Sequence, residues 1–157
     1  MNRNPLGAPA AKNIFRLITQ GTNLRTLDLD QTELGDTGVT KLFTKLTEHQ
    51  HPVALRNIYL NAVGIGPEVA AAISGYLASP YCNLESFYVS NSPLGDEGVE
   101  ALARGCLWNR SLSRLALASV GMTDNSIGVL CHAIRKHCSL KMLDVSQSYA
   151  TEELGSR

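Results

Sequence analysis

One pattern of apolar residues recurs five times along the chain at nearly constant spacing. The units begin at Leu24, Leu55, Leu84, Leu112 and Leu140, so successive starts are 31, 29, 28 and 28 residues apart. Each unit opens with an apolar residue that is followed by further apolar residues three and five positions later, as in "LRTLDL" and "LSRLAL". A fixed period of this length restricts the chain to a repeat architecture, in which each unit packs mainly on its two neighbours.

Each unit carries two different periodicities in a fixed order. Apolar residues at the third and fifth positions after the start predict a short strand that is buried on one face. Apolar residues four apart then predict a helix, as Leu102 and Cys106 illustrate. Asp36 and Asp96 lie where the N-terminal cap of that helix is expected, and Pro67 suits a first helical turn. Every unit is therefore predicted to be a strand, a turn and a helix.

Alternate units are more similar to each other than to their neighbours. The stretch "LGDTGV" at 34–39 in the first unit returns as "LGDEGV" at 94–99 in the third. The ninth position of the five units shows the same alternation between a hydroxyl side chain and valine: Thr32, Val63, Ser92, Val120 and Ser148. The sequence therefore indicates a superperiod of two repeats.

The spacing L-x-x-L-x-L with a period of 28–29 residues, closed by a helix, resembles the ribonuclease-inhibitor-like subtype of leucine-rich repeat over residues 14–154. That resemblance implies an α/β fold, a short curved right-handed solenoid with parallel strands on its concave face and helices on its convex face. Relatives with this repeat include ribonuclease inhibitors, the sensor regions of NOD-like receptors, GTPase-activating proteins for Ran and bacterial effectors. The resemblance implies a non-enzymatic module that binds a protein partner.

The two ends of the array are predicted to differ. We expect residues 1–9 to be a flexible N-terminus and residues 10–157 to form the repeat domain, with a helix over 10–22 as a half-repeat that lacks its strand. The unit that starts at Leu140 is incomplete. An uncovered last strand offers unpaired backbone groups to another chain. An alternative role is therefore assembly, either within a larger repeat array or by self-association through the C-terminal strand.

Composition excludes several other classes of function. The formal net charge is zero, from 14 basic and 14 acidic residues, so the chain lacks the positive field that nucleic-acid binding requires. No apolar run approaches the ~20 residues that span a bilayer. The four cysteines lack the paired spacing of a disulfide-rich or zinc-binding domain, which favours reduced thiols and a cytoplasmic location. Cys131 and Cys138 are expected to be about 10 Å apart on a helix, which is too far for both to bind one metal ion. No cofactor or metal is therefore expected.

The candidate binding surface lies on the strands, at positions that alternate with the buried leucines. Tyr59 and Tyr88 are predicted to be neighbours on adjacent strands. The residues predicted to surround them on the concave face are Asp28, Asp30, Asn57, Asn61, Ser86, Ser90, Arg114 and Asp144. Aromatic rings among small polar groups are typical of protein interfaces. A cross-strand tyrosine pair that only stabilises the sheet is an equally open interpretation.

Two further features of charge bear on function. The first repeat is acidic and the later repeats are basic, which suits either a solvated surface or the orientation of a charged partner. A Ran-type GTPase activator requires an exposed arginine in a loop after an early strand. The corresponding loops read "DQTELGD" and "NAVGIGPE" and contain no arginine, which argues against that role.

Overall fold

Helices and short strands alternate along the chain in a computed structural model that describes residues 7–20, 23–30, 32, 34–63, 65–136 and 139–146. The helices are α1 (Gly7–Thr19), α2 (Gly35–His49), α3 (Ala70–Ala78), α4 (Gly95–Trp108) and α5 (Asp124–Lys136). The strands are β1 (Thr26–Asp28), β2 (Asn57–Tyr59), β3 (Ser86–Tyr88), β4 (Arg114–Ala116) and β5 (Met142–Asp144). A 3-10 turn, Pro67–Val69, precedes α3, and Pro67 takes the first position of that turn as the sequence predicts.

The five strands form one parallel sheet in sequence order, β1-β2-β3-β4-β5. The register is the same at every step: the middle residue of each strand pairs with the middle residue of the next. Neighbouring strands lie about 4.8 Å apart whereas packed helices need about 8–10 Å, so the sheet takes the inside of a curve and the helices the outside. The predicted α/β repeat solenoid is confirmed.

The core lies between the sheet and the helix layer and is filled by the repeated apolar positions. In the second unit Leu55, Ile58 and Leu60 are completely buried. Phe43 of α2 lies at the centre, where its ring meets those of Tyr76 and Phe87 edge-on at centroid distances of 5.9 and 6.1 Å. In the fifth unit Leu140, Leu143 and Val145 are only partly buried. Burial of a unit therefore depends on neighbours on both sides.

The first helix begins earlier than predicted, at Gly7, and ends at Thr19. Residues 7–9 therefore belong to α1 and not to a flexible N-terminus, while residues 1–6 lie outside the described part. Pro9 is compatible with the first helical turn, because the N–H that proline lacks has no partner there. Gly7 is buried where α1 meets α2, close to Gly38. That contact holds the start of the helix in place.

The aspartate of the repeated L-G-D-x-G-V stretch links one repeat to the next. The prediction that it caps its own helix was wrong. Asp36 and Asp96 are the second residues of α2 and α4, and neither helix has a side-chain cap. Asp36 Oδ1 instead accepts a hydrogen bond from Gly66 N–H at 2.8 Å, where the next helical segment begins. Asp96 accepts bonds from the N–H of Thr123 at 2.7 Å and from the hydroxyls of Thr123 and Ser126, both at 2.5 Å. Each aspartate thus caps the helix that follows its own.

The glycines of the same stretch serve the turn and the preceding repeat. Gly35 and Gly95 adopt φ values of +66° and +65°, which favour glycine. A Cβ on Gly38 would lie 3.0 Å from the carbonyl oxygen of Gly7, and one on Gly98 would lie 3.3 Å from Pro67 Cα. The stretch therefore recurs because it contacts the repeat before it through glycine and the repeat after it through aspartate.

Leu115→Ala removes a completely buried side chain from the middle of the array and is expected to lower the free energy of unfolding by roughly 2–5 kcal/mol. Leu143→Ala is the matched control, because Leu143 holds the same position in the partly buried fifth unit and should cost clearly less. Urea denaturation followed by circular dichroism measures both. Equal losses would contradict the assigned difference between central and terminal repeats.

Asp96→Ala is expected to destabilise the protein by about 1–2 kcal/mol, since it leaves the start of α5 without its acceptor. Hydrogen bonds from Ser126 and Thr123 hold the pKa of Asp96 below its ordinary value of 3.8. The difference in free energy of unfolding between wild type and variant should therefore persist above pH 3.8 and shrink as the pH falls through the lowered pKa of Asp96. Denaturation at several pH values measures this, with Glu97→Ala, an exposed neighbour, as the near-neutral control. A pH-independent difference would exclude the carboxylate as the cause.

Candidate protein-binding surface

The strand residues on either side of each buried middle residue point away from the helices. They form two rows across the sheet, and the register places Asp28, Tyr59, Tyr88, Ala116 and Asp144 side by side in one of them. The other row consists of Thr26, Asn57, Ser86, Arg114 and Met142. Seven of the ten residues predicted for the site lie in these rows. The remaining three, Asp30, Asn61 and Ser90, lie just beyond the strands.

The rings of Tyr59 and Tyr88 are stacked face to face on neighbouring strands. Their centroids are 4.6 Å apart and their planes differ by 1°. That separation matches the distance between adjacent strands, so in-register tyrosines stack without leaving their positions. Both residues are half-buried. The stack forms an aromatic surface in the middle of the strand face.

The residues just beyond the strands were predicted to belong to the binding surface. In the structure they form hydrogen bonds with the next repeat. Asp30 accepts a hydrogen bond from Asn61 N–H at 2.8 Å, and Asn61 Oδ1 accepts one from Ser90 N–H at 2.7 Å. Ser90 Oγ in turn accepts one from Ala118 N–H at 3.0 Å. These side chains act as a ladder that fixes each unit to its neighbour, so the acceptor oxygens involved are engaged within the array.

The two predicted carboxylates of the tyrosine row stand at opposite edges of the sheet. Asp28 lies on β1 and Asp144 on β5, and both are exposed. Each accepts a hydrogen bond at 3.0 Å from the backbone N–H two residues later, that of Asp30 or Ser146. Four strand spacings, about 19 Å, separate them. They therefore flank the tyrosine stack without acting together.

The second row contributes unequally to the surface. Asn57 Nδ2 donates a hydrogen bond to Thr26 Oγ1 at 3.1 Å, which fixes the amide beside Tyr59. Ser86 is 8% exposed and offers little to a partner. Arg114 is exposed on the strand after Tyr88. We call Asn57, Tyr59, Tyr88 and Arg114 the tyrosine patch.

A buried asparagine that the repeat pattern did not single out organises the loop before β4. Asn109 Nδ2 donates to the carbonyl oxygen of Leu77 at 2.8 Å. Its Oδ1 accepts from the N–H groups of Ser111 and Leu112 at 2.9 and 2.7 Å. The signal that could have identified it is its place directly after the helix, where a polar side chain must satisfy the loop backbone. Its role is structural.

The described cysteines are separate thiols. Cys82 and Cys106 are buried, and Cys131 is exposed on α5. Burial raises the pKa of Cys82 and raises that of Cys106 to about 12, so both thiols stay protonated at neutral pH. Among the residues that the structure describes, no group of three or more histidine, cysteine or acidic side chains could hold a metal ion. Cys138 lies outside the described residues.

The convex face carries one prominent aromatic residue. Trp108 is 66% exposed at the end of α4. It borders a shallow groove of about 360 Å³ together with Ala71, Ser74, Gly75, Ala78, Ala101 and Arg104.

None of the helices in the described ranges is long and apolar enough to cross a membrane.

Sequence comparisons locate the repeats and their relatives. A family profile described as Leucine Rich repeat matches residues 22–43 and 82–103, the segments that contain the two L-G-D-x-G-V stretches. NACHT, LRR and PYD domains-containing protein 14 of Mus musculus is 26% identical over 155 residues, which cover 98% of this chain and 15% of that protein. The corresponding protein 3 of Bos taurus is 24% identical, covering 94% and 17%. The chain thus spans less than a fifth of the length of these relatives.

Solved structures share the fold at low sequence identity. The tropomodulin C-terminal domain of Caenorhabditis elegans superimposes with a TM-score of 0.70 at 17% identity, over 87% of this chain and 82% of that one. The structure of Leiomodin-1 Actin-Binding Site 2 gives 0.71 at 12% identity, over 88% and 78%. The family profile over residues 22–43 and 82–103, the repeated leucines and the regular strand register together show that the chain contains leucine-rich repeats.

Proposed function

We propose that the protein is a non-enzymatic interaction module that binds a protein partner through the tyrosine patch on its concave face. The observation that supports this most strongly is the parallel stack of the Tyr59 and Tyr88 rings. The stack stands among polar groups, and the residue beside Tyr88 on β4 is Ala116, whose side chain is small. A partner side chain can approach the outer face of Tyr88 above this alanine.

The chemistry of the patch suits a protein ligand. Tyrosine offers a large rigid contact area and a hydroxyl, and tyrosine and arginine are enriched where interfaces gain most of their binding energy. Arg114 adds an exposed guanidinium on the strand next to Tyr88, and Asn57 adds an amide already held in place by Thr26. Since the ladder of Asp30, Asn61 and Ser90 is engaged internally, we limit the proposed site to the patch itself.

The similar proteins support this class of function and do not name the partner. The leiomodin domain is named as an actin-binding site, which is an example of this fold in contact with another protein. At 12% identity that likeness concerns the fold, and we do not transfer actin to this chain.

The free and buried thiols of Cys82 and Cys106 support a reducing compartment, which we propose to be the cytoplasm.

The double variant Tyr59→Ala/Tyr88→Ala is expected to lose a protein that the wild-type chain retains from a lysate of its source cells. Removal of two central aromatic side chains should weaken binding by about tenfold to a hundredfold. The retained protein is identified by mass spectrometry, and its affinity for both chains is then measured by calorimetry. Thermal melts establish first that the variant is folded.

Trp108→Ala is the matched control, because it removes a large and more exposed aromatic side chain from the convex face. It should leave the retained protein unchanged. Loss of binding with Trp108→Ala and retention with the tyrosine variant would place the interaction on the helices and refute the proposal.

A further inference from the structure

The fifth strand ends the described sheet with backbone groups that every earlier strand has paired. The carbonyl of the residue before each strand accepts a bond from the next unit: Arg25 from Arg56, Arg56 from Glu85, Glu85 from Ser113 and Ser113 from Lys141. The N–H of the residue after each strand likewise donates onward, as Leu117 N–H does to Asp144 O at 2.7 Å. By this register, Lys141 C=O and Val145 N–H face outward and have no partner among the described residues.

The apolar side chains of the fifth unit are also less buried than their equivalents in earlier units. Leu115 and Leu117 are completely buried, whereas their equivalents Leu143 and Val145 are only partly so. In the helix layer, Ala103 is completely buried in α4, and Cys131, which lies 28 residues later in α5, is exposed. Within the described residues, both layers therefore lack the covering that a neighbouring strand and helix provide elsewhere.

We propose that this open edge joins a second copy of the chain through antiparallel pairing of the two β5 strands about a two-fold axis at Leu143. The outward-facing Lys141 C=O and Val145 N–H lie symmetrically two residues before and after Leu143. An antiparallel partner strand thus pairs each carbonyl with the N–H of the other copy. The central Leu143 residues exchange their own N–H and C=O groups. The surface continues the same sheet that joins the repeats within one chain.

Charge favours this arrangement over a head-to-tail stack. A two-fold axis sets the two α5 helices antiparallel, so that Asp124 in the first turn of one lies near Arg135 in the last turn of the other, with opposed helix dipoles. Head-to-tail stacking in the parallel register of the sheet would instead place Asp144 opposite Asp28 of the next copy. Like charges in direct opposition destabilise strand pairs. The dimer would carry two tyrosine patches on one continuous strand face. Dimer formation does not require a partner to bind to either patch.

Sedimentation equilibrium over about a hundredfold range of concentration tests the proposal. We expect a monomer–dimer equilibrium in the wild type and about tenfold weaker association in Asp124→Arg and in Arg135→Glu, each of which brings like charges together. A mixture of these two variants should regain association, because the arginine introduced in one chain then faces the glutamate introduced in the other, and the two unchanged residues also face each other. Arg104→Glu, an exposed reversal on α4, is the control and should leave the dimer unchanged.

A second measurement uses the exposed thiol near the middle of α5. A short bis-maleimide should link two copies through Cys131, and Cys131→Ser should abolish the linked species. A chain that is monomeric at all concentrations would overturn the proposal. A dimer that is insensitive to both charge reversals would also overturn it, because the contact would then lie elsewhere.

Discussion

No unit of this protein can bury its own leucines, and every other feature of the structure depends on that constraint. A three-residue strand and a single helix leave the apolar side chains of a unit open on two sides, and the adjacent units cover both. The contrast between Leu115 and Leu143, which hold the same position, shows the effect directly. Stability is therefore a property of the array, and specific contacts between neighbours determine how the units are arranged.

Three kinds of contact set that arrangement. Asp36 and Asp96 cap the helical segment of the following unit. The ladder of Asp30, Asn61 and Ser90 bonds the backbone just beyond each following strand. The fixed register of the sheet completes the set and places Tyr59 directly beside Tyr88. The candidate binding surface is thus a consequence of the same pairing that holds the repeats together.

Periodicity was sufficient to predict the strands, the helices and the tyrosine neighbours, because the repeated leucines specify which face of each element is buried. It could not show what the polar residues bond to. Asp96 has the sequence context of a cap for its own helix, yet its carboxylate reaches Thr123 in the next unit. Two further details could not be predicted from periodicity. Ser86 is covered by its neighbours. Ala62 takes φ = +57°, a backbone conformation that alanine seldom adopts.

The strand face and the open edge of β5 are distinct surfaces with distinct chemistry. The tyrosine patch presents stacked rings with an amide and a guanidinium. The edge presents backbone groups that have no partner in the described part of the chain, together with partly buried leucine and valine. A chain that dimerises through the edge keeps its patches accessible on one face of the joined sheet. Binding of a partner and assembly can then occur on the same molecule without competition.

Site-specific photocrosslinking tests the central claim, that the concave tyrosine patch contacts a protein partner. A benzoylphenylalanine placed at Tyr88 in the source cell, and in a separate chain at Trp108, reports which face lies against another protein. We expect a discrete crosslinked protein from the Tyr88 position and none of that mass from the Trp108 position. Crosslinks from Trp108 alone would show that the helices are the contact surface and would refute binding through the tyrosine patch.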